Sequence, residues 1–176
     1  MYIWIGCALP ETFERELRER TLPLAEELKL GLEPFSLPQH ISLKISFEDG
    51  GRTEEVLAAV EEMLRKERTF AVHPAGIERH GSILWITFRE NGTLRRLHNL
   101  LDRELKQRFC IEQHLFDRAF MFHSSIYIGE EALVIQGEER LRDLRLPEEL
   151  RVNRFLLGMS PAGKAGTYQV VREIKV

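Results

Sequence analysis

From His40 to Phe47 the chain alternates strictly, with Ile41, Leu43, Ile45 and Phe47 on one side and His40, Ser42, Lys44 and Ser46 on the other. Alternation of period two predicts a strand with one face in a core and a polar face turned away from it. Such a strand needs a sheet partner and a second layer over its apolar face. The flanking sequence supplies candidates for both. Tyr2–Leu9 is an apolar run with aromatic and β-branched members and predicts a strand. After Pro10, the positions Phe13, Leu17, Leu24 and Leu28 predict a helix, which Pro23 should break or restart because an interior proline lacks an amide donor and crowds the preceding turn. Beyond Gly50–Gly51, Thr53 is a candidate N-cap with Glu54 and Glu55 in the first turn, and Val56, Val60, Met63 and Leu64 give a helical stripe.

Further along, Phe70–Ile77 and Ser82–Phe88 read as strands joined around His80–Gly81. Asn91–Gly92–Thr93 opens a helix with Leu94, Leu97, Leu101, Leu105 and Phe109 on one face, and Ala119–Ile128 reads as another strand. The stretch around Gly137 has no clear pattern. Arg151–Met159 and Thr167–Val176 read as a hairpin around Pro161, Gly163 and Gly166. The order of elements predicts an α+β fold with largely antiparallel sheets and two similar halves. At 176 residues the chain has the length of one compact domain or two small lobes on a shared core.

Composition narrows the function classes. A formal charge of −3 argues against nonspecific binding of a large duplex, which needs a basic surface. The apolar runs fall short of a membrane span. No basic segment precedes the N-terminal apolar run, and Glu11–Arg20 is rich in Glu and Arg, so we expect no secretory signal and a cytoplasmic protein. Cys7 and Cys110 lie far apart without a CxxC pattern and read as buried reduced thiols.

The chemistry-bearing feature is a repeat: His40–Ile41–Ser42–Leu43 recurs as His123–Ser124–Ser125–Ile126, each within an expected strand. Residues i and i+2 of a strand share a face, so each motif offers an imidazole beside a hydroxyl. If the halves pack as equivalent lobes, two imidazoles and two hydroxyls surround one small anion. With an ordinary pKa of about 6.5, one imidazole can act as general base while the other acts as general acid. The hydroxyls of Ser42 and Ser125 can donate to non-bridging phosphate oxygens. No metal or other cofactor is needed for this chemistry.

These paired motifs, their spacing, the Leu37–Phe47 stretch and the closing segment around Gly166–Thr167–Tyr168 resemble the 2H phosphoesterase superfamily, which includes bacterial 2′-5′ RNA ligase-like proteins and cyclic nucleotide phosphodiesterases. The resemblance spans essentially residues 1–176 as a single bilobal domain. It implies a bilobal α+β fold with a central cleft, and phosphodiesterase or RNA-end chemistry on 2′,3′-cyclic or 2′,5′-linked phosphates. His40 and His123 would be the acid–base pair, their individual roles open, and Ser42 and Ser125 the phosphate donors. Serine replaces the commoner threonine at both hydroxyl positions. The implied partner is a small nucleotide or an RNA end; the sequence carries no information on oligomeric state.

Lys44 and Tyr127 lie one further step along the same strand faces, where Lys44 can neutralise phosphate and Tyr127 can donate a hydrogen bond or stack on a base. A solvated strand end is the plainer reading of both. His73, His80, His98 and His114 match no metal spacing and read as structural or surface residues. Trp85 and Phe88 read as core. Arg95, Arg96, Arg103, Lys106 and Arg108, interrupted by Asp102 and Glu104, read as a solvated helix face. Three alternatives compete with the phosphodiesterase: a noncatalytic nucleotide- or RNA-binding module using the same cleft, an RNA 2′-5′ ligase, and a metallohydrolase drawing on some of the six histidines.

Overall fold

Tyr2–Ala8 forms strand β1, whose Ile3, Ile5 and Cys7 are fully buried on one face while Trp4, Gly6 and Ala8 occupy the other. The structure, a computed structural model, describes residues 1–176. β1 lies between β2 (His40–Glu48) and β8 (Arg154–Ser160), and β9 (Gln169–Lys175) completes an antiparallel sheet of order β2-β1-β8-β9. A second antiparallel sheet, of order β4-β5-β6, contains β4 (Pro74–His80), β5 (Ile83–Phe88) and β6 (His123–Ile128). Separately, β3 (Phe70–Val72) pairs with β7 (Leu150–Val152) as a short ribbon.

Four helices cover these sheets: α1 (Glu11–Glu27), α2 (Thr53–Leu64), α3 (Gly92–Phe109) and α4 (Glu131–Arg140). Both sheets and all four helices contribute to one contiguous cluster of 35 buried residues. Each buried aliphatic or aromatic side chain contributes about 1.5–3 kcal/mol, so this shared core ties both sheets to their helices. The lobes are not the sequence halves, because the C-terminal hairpin β8–β9 returns to the N-terminal sheet. No helix is long and apolar enough to cross a membrane.

Several local expectations need correction. α1 runs unbroken through Pro23. Pro23 and Glu19 are exposed, so the carbonyl that loses its partner faces water, while buried Leu17, Thr21, Leu24 and Ala25 pin the helix on both sides. The stretch around Gly137 is helical, as α4. The glycine is there for space: a Cβ at 137 would stand 2.9 Å from the ring of Tyr127. The expected strand Phe70–Ile77 divides between β3 and β4, and Arg151–Met159 between β7 and β8. The strand expected from Ala119 begins at His123, after a 3-10 turn at Leu115–Ala119. Thr53 is the first helical residue of α2 and not its cap; its hydroxyl donates to Asp49. Cys7 is buried, but Cys110 is exposed in the left-handed conformation that ends α3.

Candidate active site

Both motif strands lie at an edge of their sheet, and the two edges meet. A strap crosses between them: Gln39 Nε2 donates to Ser124 Oγ at 2.8 Å and to the Ser125 carbonyl at 2.7 Å. In β2, His40 stands opposite Ala8 and Ser42 opposite Gly6; in β6, His123 stands opposite Thr87 and Ser125 opposite Trp85. Each imidazole therefore shares a face with the hydroxyl two residues on, as the alternation predicts.

The two histidines are held in the same way. His40 Nδ1 lies 2.7 Å from the carbonyl of Pro38, and His123 Nδ1 lies 2.9 Å from that of Met121. A carbonyl only accepts, so Nδ1 carries the proton and Nε2 is left with its lone pair. Ser42 Oγ accepts from Trp4 Nε1 at 2.9 Å, which leaves the serine O–H free to donate. The Trp4 indole reaches Ser42 by lying over Gly6 and Gly158, where a Cβ would stand 2.4 Å and 2.8 Å from its ring. A cleft of about 270 Å³ opens beside these groups, walled by Trp4, Pro34, Leu37, Ile83, Ile128 and Tyr168 and reaching His40 and Ser125.

Burial pulls His40 down to about 4, with the neighbouring His123 charge acting in the same direction against the raising effect of the Pro38 carbonyl. His123 is lowered too, by burial first and by the charge of His80, while the Met121 carbonyl opposes. Both rings therefore favour the neutral form near neutral pH, and a bound anion would favour protonation of one of them.

Lys44 and Tyr127 are not on the cleft face. In both motif strands the register skips one residue: Ser42 pairs with Gly6 and Lys44 with Ile5, leaving Leu43 unpaired, and Ser125 pairs with Trp85 and Tyr127 with Leu84, leaving Ile126 unpaired. A one-residue bulge reverses the faces beyond it. Lys44 is therefore only 2% exposed on the core side, bonded to Asp102 and, at 2.9 Å, to Asp117. Tyr127 is fully buried and donates its hydroxyl to the Thr21 carbonyl at 3.0 Å.

Of the other histidines, His98 is buried between the carbonyls of Leu43 and Asp117, taking up a backbone group of the bulge. His73 contacts the Glu148 carbonyl, and His114 caps the 3-10 turn. His80 is exposed, as expected of a surface residue; Trp85 departs from the core reading, stacking between His80 and His123 on their face of the second sheet. Phe88 packs on the core. The basic residues of α3 are paired in part, Arg95 with Glu90, Arg96 with Glu67 and Lys106 with Glu112. No three His, Cys, Asp or Glu side chains gather in a geometry that could hold a metal ion. The sequence reading gave no site role to Gln39, Trp4 or Tyr168; the Tyr2-x-Trp4-x-Gly6-x-Ala8 face of β1 was a usable signal for Trp4, because two small residues leave room for an indole.

The meeting edges of two antiparallel sheets each carry one His-x-Ser, and the cleft beside them reaches His40 of one and Ser125 of the other, an arrangement of the two-histidine phosphoesterase class. The chain belongs to the 2′-5′ RNA ligase superfamily, whose family model matches residues 15–159. Among solved structures it resembles E. coli LigT complexed with 3′-AMP (TM-score 0.61, 16% identity, covering 99% of this chain and 97% of that one). It also resembles TT0787 of Thermus thermophilus (0.63, 19% identity, 99% and 97%) and Usb1 of Kluyveromyces marxianus (0.61, 13% identity, 99% and 98%). LigT has also been crystallised with ATP and with NADP+. No curated protein matches the chain in sequence.

Proposed function

We propose that the protein is a metal-independent phosphodiesterase of the 2H type, hydrolysing 2′,3′-cyclic or 2′,5′-linked phosphodiesters of nucleotides or RNA ends. The observation that carries this reading is the matched pair of imidazoles, each with Nδ1 spent on a backbone carbonyl and each with a serine hydroxyl two residues on along the same strand face. One Nε2 takes a proton from the attacking water while the other, protonated, delivers one to the departing ribose oxygen. Ser42 and Ser125 donate to the non-bridging oxygens and hold phosphorus in line. Like charge between the two rings disfavours double protonation, which separates the two roles.

The apolar cleft is of a size to take a nucleoside attached to that phosphate. Nucleotide complexes of the similar fold in LigT support the same substrate class. The family description also supports the reverse reaction, in which the cleft joins RNA ends, since a catalyst accelerates both directions.

Purified, EDTA-treated protein should turn over 2′,3′-cyclic nucleotides or short 2′,5′-linked RNAs with a bell-shaped pH profile, and His40→Ala or His123→Ala should each lower the rate by about 10²–10⁴-fold. Equal turnover in all three proteins, or its loss on chelation, would overturn the proposal. Saturable binding without turnover would favour the binding module.

A further inference from the structure

The two motif histidines differ in what their rings lie against. His123 lies flat on the indole of Trp85, with ring centroids 3.8 Å and planes 19° apart. His80 stacks on the same indole at 4.2 Å and 29°. β5 runs between β4 and β6, so the two imidazoles take opposite faces of the indole. His40 has no such seat: it meets Trp4 at 64°. Trp85 Nε1 is buried without an acceptor, whereas Trp4 Nε1 serves Ser42. What tryptophan adds over phenylalanine is the stronger attraction of its face for a cation.

We propose that His80, Trp85 and His123 form a proton-setting column, in which Trp85 is a positioning residue that favours protonated His123 and His80, when it takes a proton at the outer end, opposes it. The inference rests on the proposed function only in making His123 the proton donor and His40 the base. The titratable groups on the cleft side of His123 include His80 and Glu78 on β4, His40 on β2 and, at the wall of the cleft beyond Ser125, Glu33, while β5 supplies Trp85 and Thr87, which do not titrate in this range. Glu78 lies 3.6 Å from His80 Nε2 and accepts from Thr87 Oγ1 at 3.0 Å. The column makes donor strength depend on the charge of a third histidine outside both motifs. Its solvent-side position lets an anionic substrate flank or a change of pH act on the reaction through one exposed ring.

The test is an NMR titration of the histidine ring protons in the ligand-free full chain, for the wild type, Trp85→Phe, Trp85→Leu and His80→Gln, with His123→Gln assigning the resonance. Trp85→Leu keeps the site apolar but removes the π face, and should lower the His123 midpoint by about half a pH unit or more; Trp85→Phe should lower it less. His80→Gln should raise it. A His123 midpoint unchanged in both Trp85→Leu and His80→Gln, or one that rises in Trp85→Leu, overturns the column. If Trp85→Leu does not fold, Trp85→Phe with His80→Gln decides on the same criteria. No substrate enters this measurement, so absence of phosphodiesterase turnover with the expected shifts would remove the donor role of His123 and leave the column standing.

Discussion

At His40 the imidazole is held near 4 by burial, against about 6.5 in an unfolded chain. Above about pH 6.5 both states are neutral and the difference contributes nothing. Between about 6.5 and 4 the unfolded chain takes a proton that the native ring refuses, so stability falls as pH falls, by up to about 3 kcal/mol. His123 acts in the same direction. Urea unfolding across that range should show this acid-side decline, and His40→Asn should flatten it. Lys44 makes a separate prediction. Replacing it with Ala strands the buried carboxylate of Asp117 and the half-buried one of Asp102, so Lys44→Ala should lose about 3–5 kcal/mol of stability. A residue used for substrate contact would instead leave stability unchanged and raise KM, and urea titration separates the two. From sequence, Lys44 reads as one more polar residue on the motif face, because nothing in a run of alternating residues signals a bulge.

The element scale explains why that bulge occurs twice at the same place in the motif. A strand that continued its alternation past Ser42 or Ser125 would keep Lys44 and Tyr127 at the cleft. The skipped residues Leu43 and Ile126 turn both side chains inward instead, where they are among the largest fully buried groups. Each then anchors its motif strand, Lys44 to α3 and the 3-10 turn, Tyr127 to α1. α4 completes the second anchor by passing Gly137 over the Tyr127 ring. Helix propensity alone would make Gly137→Ala stabilising by about 1 kcal/mol. The new methyl meets a ring pinned by its own hydroxyl, and overpacking costs about 1–3 kcal/mol, so thermal unfolding should show the variant to be less stable. α3, with its Asn91 cap and five-residue apolar stripe, was legible because its local signals and its packing agree. α4 was not, because its glycine serves a tertiary contact and weakens the local pattern.

Across the whole molecule, the site exists because two sheet edges are brought together and strapped. Gln39→Ala removes both bonds of that strap and leaves Ser124 Oγ and the Ser125 carbonyl without this donor. Misplacement of reacting groups by about 1 Å can cost about 10²-fold, so kcat/KM should fall by about 10-fold or more while the protein remains folded; steady-state kinetics beside a melting curve checks this. The strand faces, the α3 stripe, the α+β class and the two His-x-Ser pairs could all be read from the chain itself, since they follow from local periodicity and from residue types at i and i+2. Folding in three dimensions was needed to set the rest: the C-terminal hairpin completes the first sheet, β2 and β6 meet, bulges bury Lys44 and Tyr127, and Trp4 and Trp85 stand beside different motif histidines. Those outcomes depend on strand register and on contacts between residues far apart in the chain, which alternation along one strand cannot encode.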